Sequence, residues 1–234
     1  MKTLLRDGGG IPNTLLYTLA IIAGISVANL YYNQPLLEML RQDLHASTME
    51  ANHIALYTQI GYALGLLFII PLADLFSRKR IILANFSILV VSLLAIATAG
   101  NIYTVHVFSL LTGICSVIPQ IFIPLTAQYS LPENKNRNVG IVLSGLLTGI
   151  LASRVVSGAV GEWLGWREMY YIASGLMGYL IRDMKAISRV ALVIGGLLMV
   201  IPGTVTDLAG LAVLVVVLVL QRIENKKDKA AASV

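Results

Sequence analysis

The chain has 234 residues, of which 57% are hydrophobic and 12% charged, with a net charge of +5 and a single cysteine. That charged share is about half of what a soluble globular protein carries, so it cannot cover a water-facing surface and lipid must solvate much of the chain. The basic residues sit in short runs between apolar stretches, not along one recognition element, which argues against nucleic acid as a partner. Cys115 lies alone in an apolar stretch, which excludes a disulfide framework or a cysteine metal cluster.

Lys2 and Arg6 precede an apolar run at 14–37. This run is too long for the apolar core of a signal peptide and lacks a small-residue cleavage site, so it reads as the first membrane span. Further runs near the length a membrane helix needs fall at 52–73, 81–99, 102–128, 138–160 and 164–181. Two shorter ones follow at 187–202 and 205–221, for which a tight hairpin entering and leaving by one face is the alternative. The expected fold class is all-α: a polytopic membrane protein of about eight transmembrane helices.

Lys and Arg concentrate in cytoplasmic loops. With both termini in the cytoplasm, that side receives Lys2, Arg6, Arg78, Lys79, Arg80, Lys135 and Arg137, then Arg182, Lys185, Arg189, Arg222, Lys226, Lys227 and Lys229. Of the 17 basic residues, Arg41 and Arg167 fall on the other side and Arg154 lies within span 5. Shifting the topology by one span would scramble this separation. The longest loop, 38–51, is too short to fold alone.

Spans 2 and 3 are joined by Gly65-Leu-Leu-Phe-Ile-Ile-Pro71-Leu-Ala-Asp74-Leu-Phe-Ser-Arg78-Lys79-Arg80. On charge alone it is a positive-inside anchor, and Asp74 can accept backbone hydrogen bonds or pair with Arg78. The stretch also resembles the loop signature of the major facilitator superfamily: Asp74, Arg78 and Lys79 match it, while Pro71, Leu75 and Ser77 replace the usual glycine, basic residue and second glycine. Asn29-Leu-Tyr-Tyr-Asn33-Gln34-Pro35 in span 1 and Gly145-Leu-Leu-Thr-Gly149-Ile-Leu-Ala-Ser-Arg154-Val-Val-Ser157-Gly158 in span 5, followed by Gly165-Trp166-Arg167, are similar to bacterial drug- and metabolite-efflux members. The family's usual span-4 arginine is absent, with Ser109 about where it would fall. The resemblance covers 14–180, one six-helix half of a twelve-helix transporter. It implies a proton-coupled exporter of a small molecule in the cell (inner) membrane, working by alternating access, with Asp74, Arg78 and Lys79 in gating. Each half of such a fold holds two inverted three-helix repeats. Spans 1 and 4 carry Pro35-Leu36 and Pro124-Leu125, and spans 2 and 5 carry Gly61-x-x-x-Gly65 and Gly145-x-x-x-Gly149, spacings that let helix backbones approach closely.

Polar groups in lipid are costly and face a bundle interior or an aqueous cavity. Ser109, Thr112, Ser116 and Gln120 share one face of span 4, and Ser26, Asn29 and Asn33 one face of span 1, with Tyr32 and Gln34 beside them. Span 2 offers Gln59. The candidate substrate-binding residues are therefore Asn29, Tyr32, Asn33, Gln34, Gln59, Gln120 and Arg154; the alternative is hydrogen bonding between helices with no ligand. Arg154 can bind an anionic or polar substrate, pair with a carboxylate during the cycle, or snorkel toward the interface marked by Trp163 and Trp166. No span interior holds Asp or Glu, so the titratable candidates are Glu38, Asp74, His53 and His106 near span ends, and proton coupling rests on the resemblance. No Ser/His, His/Glu or paired-carboxylate constellation shares one depth, so an intramembrane enzyme is disfavoured and no cofactor or metal is expected.

The last fifty residues differ. Residues 187–222, including Pro202-Gly203 and Thr204-x-x-Asp207, are similar to the C-terminal hairpin of TRAP-type large permeases. Pro202-Gly203 turns the chain, and Thr204-x-x-Asp207 reads as a capping box opening the next helix, with Asp207 as an ion site the alternative. The expected units are a transporter half at 1–181 and a hairpin with a charged tail at 182–234. A single half cannot enclose a substrate, so the partner is a homodimeric mate or a separate second half. The rival expectation is a truncated or fused membrane protein that does not transport.

Overall fold

A computed structural model describes residues 7 and 9–177, apart from the side chain of Asp74. Span 1 is two helices, α1 (Asn13–Ala28) and α2 (Asn33–Asp43). Next come α3 (Thr48–Leu75) and α4 (Arg78–Ala97), then α5 (Ile102–Cys115) and α6 (Ile118–Tyr129), which together form span 4. A 3-10 turn (Pro132–Asn134) leads into α7 (Lys135–Trp163), and α8 (Trp166–Met177) opens span 6. Five of these spans are long and apolar enough to cross a membrane, the shortest being the 20 residues of Arg78–Ala97, about 30 Å of helix. The protein is an all-helical polytopic membrane protein. The rest of the expected span 6 and both spans at 187–202 and 205–221 lie outside the described residues.

Local chemistry sets the ends. The Ser47 hydroxyl accepts from the Glu50 N–H at 3.2 Å, and the Glu50 carboxylate accepts from the Ser47 N–H at 2.8 Å, a reciprocal cap that starts α3. Asn101 Oδ1 accepts from the Thr104 N–H at 2.9 Å and starts α5. Gly165, at φ +120°, makes the turn between α7 and α8, a conformation that side-chain-bearing residues rarely adopt.

Two helix crossings organise the bundle. In one, α3 meets α5: a Cβ on Gly65 would lie 2.5 Å from the Ile114 carbonyl oxygen, and Cβ atoms on Gly61 and Gly113 would run into the carbonyls of Leu110 and Thr58. In the other, α1 meets α7: a Cβ on Gly24 would lie 2.6 Å from the Gly145 carbonyl oxygen, and those on Gly145 and Gly149 would run into Ala20 and Gly24. Backbone faces backbone in both, so no rotamer change relieves a larger residue. Under the pairing of span 1 with span 4 and span 2 with span 5, one crossing maps onto the other. Gly24 and Gly113 stand 89 residues apart, as do Pro35 and Pro124, while Gly61 and Gly65 stand 84 before Gly145 and Gly149.

Burial is uneven. The apolar windows of α3 and α7 are 22% and 17% buried, against 56% for spans 1 and 4. Leu143, Leu147, Leu151 and Val155 form an exposed stripe along α7 at helical spacing, and Leu56, Ile60, Leu67 and Phe68 are exposed on α3.

Candidate functional site

The two broken spans supply the site. A proline has no N–H, so it leaves the carbonyl four residues earlier without its helical donor. Pro35 does this to Tyr31, whose carbonyl instead accepts from the Gln34 N–H at 3.3 Å. The Leu30 and Tyr31 N–H groups donate three residues back, to Val27 at 3.1 Å and Ala28 at 2.9 Å, which tightens the chain between α1 and α2. Pro124 frees the Gln120 carbonyl in the same way, in the short helix after the Ser116–Val117 break. Tyr31 and Gln120 stand 89 residues apart, the same offset as the two prolines. Gln120 Nε2 donates to the Tyr62 hydroxyl at 3.0 Å, tying span 4 to α3 at this level.

Arg154 is exposed on α7, and its guanidinium carbon lies 5.3 Å from the centre of the Tyr31 ring, a cation–π contact. Its depth follows from packing. Gly158 sits beside Pro35, with a built Cβ 3.7 Å from the proline ring, and Gly161 sits against Leu36. Here α2 and α7 run side by side in one direction, so Arg154 is level with Tyr31 and the break in span 1. A charge placed centrally in a membrane helix costs about 3 kcal/mol on insertion scales, so Arg154 is a costly residue to keep there.

The other residues singled out from the sequence divide by surroundings. Asn29 is buried; its Nδ2 donates to the Ser26 and Ile25 carbonyls at 3.0 and 3.3 Å and approaches Met177 Sδ at 3.5 Å. Asn33 Nδ2 donates to Thr58 Oγ1 at 2.9 Å inside the α2–α3 contact. Tyr32 is buried in the core, Gln34 is half-buried, and Gln59 is exposed on α3. The span-4 hydroxyl Ser116 turns back onto the Thr112 carbonyl at 2.7 Å. Among the described residues Asn29 Oδ1, Asn33 Oδ1 and Thr112 Oγ1 are buried without a hydrogen-bond partner. Thus the structure brings Gln120 and Arg154 toward the breaks in company with Tyr31 and Tyr62, two tyrosines that sequence reasoning passed over. The 89-residue offset of the prolines was the available signal for Tyr31, since it maps that residue onto Gln120.

Beside this site, α1 and α7 leave an open groove of about 300 Å³ lined by Tyr17, Ala20, Ile21, Gly24, Ile25, Gly145, Thr148, Gly149 and Ala152. It follows directly from the glycines, which give up side-chain volume where the helices cross.

The ends of the bundle differ in charge. At one, Arg78 Nη1 donates to Gln128 Oε1 at 2.9 Å and Gln128 Nε2 donates to Asp7 at 3.2 Å, with Lys79 exposed beside them. The side chain of Asp74 is outside the described residues. At the other, Asp43 accepts from Arg167 in an ion pair and from Trp166 Nε1 at 3.2 Å, and Arg167 Nη2 donates to the Ala99 carbonyl at 2.8 Å. This clamp joins α2, the α4–α5 loop and α8. Arg41 pairs with Glu38 at 2.7 Å at the same end. So the two cations at this end are neutralised locally.

Residues 19–182 match the sequence pattern of the Major Facilitator Superfamily. The chain belongs to this superfamily. It is 37% identical over 163 residues to the transporter named YgaY of Escherichia coli K12, a match that covers 70% of this chain and 41% of that protein. It is 30% identical over 172 residues to a protein of Streptomyces coelicolor named as a transporter, covering 74% of this chain and 40% of the other. A transporter of Bacillus subtilis, YybF, is 25% identical over 179 residues, covering 75% and 43%. No solved structure matches the chain. This superfamily member therefore spans about two fifths of the length of these relatives. Membership makes it a transporter-family protein of the membrane. The matched segment stops at 182, and the resemblance of 187–222 to a TRAP-type hairpin falls outside both that segment and the described residues.

Proposed function

We propose that this chain is one half of a small-molecule exporter that works by alternating access in the cell inner membrane, with both termini cytoplasmic and protons driving export. The observation that carries the reading is the pairing of two backbone-to-backbone glycine crossings with two broken spans. Close helices without interlocking side chains can shift against one another, and broken spans put polar groups at depth. Gln34, Gln59, Gln120 and Arg154 face the passage in this reading, while Asn29, Tyr32 and Asn33 hold span 1 in place and reach substrate when the bundle rearranges. Asp74, Arg78 and Lys79 form the cytoplasmic hinge. The apolar faces of α3 and α7 are covered by a second copy or a separate second half. The Lys and Arg distribution supports the orientation. Proton coupling draws its support from the resemblance, with Glu38, Asp74, His53 and His106 as carriers near span ends.

Proteoliposomes loaded with a panel of small cations and anions test this directly. Flux that needs the protein and falls when an uncoupler collapses the pH gradient is the expected result. Folded protein with no flux for any compound contradicts it. A second reading is an accessory or degenerate membrane subunit without transport, and mass in mild detergent separates the two. A dimer or a complex fits the exporter; a strict monomer fits the accessory subunit.

A further inference from the structure

Among the described residues Arg154 has no counter-charge. Between the ends of the described spans it is the one Asp, Glu, Lys or Arg side chain. Among the described residues no carboxylate pairs with it and no acceptor takes a hydrogen bond from its guanidinium; its contact is the Tyr31 ring at 5.3 Å. The two cations at the nearer end of the bundle, Arg41 and Arg167, each have an acid of their own. Span 5 thus differs from the rest of the half in holding a fixed positive charge at depth.

The side chain is not turned toward the interface. Arg154 lies nine residues before Trp163, about 13 Å of helix. A snorkelling guanidinium would point along that axis toward the headgroups. Here it lies over Tyr31, which is level with it and across from it. A cation–π contact offers a guanidinium no hydrogen-bond acceptor, so it takes up none of its N–H donors. The N–H donors radiate from its edge, in the plane, where a carboxylate is taken by two parallel hydrogen bonds. The Tyr31 contact therefore holds the group in place without using the atoms that would recognise an anion. Tyr62 adds to this surface: its hydroxyl accepts from Gln120, which leaves its own O–H to donate.

We infer that the substrate is a small organic anion, bound through a carboxylate on the edge of the Arg154 guanidinium, with Tyr31 positioning that group. This rests on the exporter reading above and specifies the substrate class for the same site. It demotes the two other roles open to Arg154, anchoring at the interface and pairing with an acid of the second half.

Three compounds of one shape make the test: benzoate, neutral benzamide and cationic benzylamine. Their binding is measured on the full chain in lipid nanodiscs, for the wild type, Arg154→Gln and Arg154→Lys, with thermal unfolding recorded for each variant. The expected result is benzoate bound about tenfold more tightly than either analogue, a preference lost in Arg154→Gln and partly kept in Arg154→Lys. Equal binding of all three, benzoate binding unchanged in Arg154→Gln, or no binding of benzoate to folded wild type would overturn the inference. Should Arg154→Gln fail to fold, the preference of the wild type and the Lys variant decides. Failure of the exporter reading looks different. Benzoate binding without flux in proteoliposomes removes transport and keeps the anion site; benzylamine flux insensitive to Arg154→Gln removes the anion site and keeps transport.

Discussion

The α3–α5 and α1–α7 crossings share one construction and diverge in what surrounds them. Both press glycine against a carbonyl of the facing helix, at Gly61, Gly65 and Gly113 in one and Gly24, Gly145 and Gly149 in the other. Around the first, Asn33 bonds to Thr58 and Gln120 to Tyr62, and the positions on α3 are Leu64 and Phe68. At the matching positions on α7 stand Thr148 and Ala152, and a groove of about 300 Å³ opens there. Two residues past Ala152 is Arg154, over Tyr31. The scaffold is repeated, but beside the first crossing side-chain hydrogen bonds tie α3 to α2 and to α6, while the α1–α7 crossing carries free space and charge. Symmetric backbone packing leaves side chains at liberty to differ, so one crossing can be braced on α3 while the other keeps open space.

The largest expected effect comes from filling a crossing. Gly61→Ala and Gly149→Ala each drive a methyl into backbone and should lose about 1–3 kcal/mol of stability, read as a lower unfolding temperature in detergent. Gly158→Ala is the control, because its built Cβ meets Pro35 at an ordinary 3.7 Å, and it should change little. Equal effects at Gly61 and Gly158 would contradict the close approach.

A smaller effect separates the brace from the open crossing. Asn33→Ala removes the bond to Thr58 and should cost about 1 kcal/mol, since hydrogen bonds between membrane helices are worth roughly 0.6–1.7. Thr148→Ala faces the groove and should cost less than half of that. A reversal of this order would place the brace on the wrong side of the molecule.

The smallest belongs to the clamp at the Arg167 end. Asp43→Asn keeps an acceptor for Trp166 but removes the charge opposite Arg167, whose side chain is partly exposed. Exposed pairs are worth about 0–1 kcal/mol, so the unfolding temperature should barely move at moderate salt. A large fall would make this clamp a structural necessity rather than a contact that can open and close.

The spans were legible in the sequence because an apolar stretch of the right length has few other readings in a chain with so little charge. The breaks were not. Hydropathy sums over a window and cannot register that the N–H groups of Leu30 and Tyr31 move from the fourth to the third residue back. Pro35 and Pro124 were visible, yet a proline in a membrane helix is often accommodated without a break. The glycine pairs on α3 and α7 were legible as packing devices from their spacing. Their partners Gly24 and Gly113 were not, because each is a lone glycine whose importance depends on which helix crosses it. The polar stripe of span 1 was plain from its periodicity, but periodicity says which residues share a face and not what that face meets; Asn29 meets its own backbone and Met177, and Asn33 meets Thr58.

Whether this superfamily member moves a substrate is tested most directly by flux measured across a defined membrane. Full-length protein is reconstituted into sealed proteoliposomes with benzoate inside, and its release is followed with an imposed pH gradient, with the gradient collapsed, and with Arg154→Gln in place of the wild type. Release should need the protein, slow when the gradient is removed and be lost in the variant. Protein that is folded and inserted yet releases benzoate no faster than empty liposomes would contradict the exporter reading.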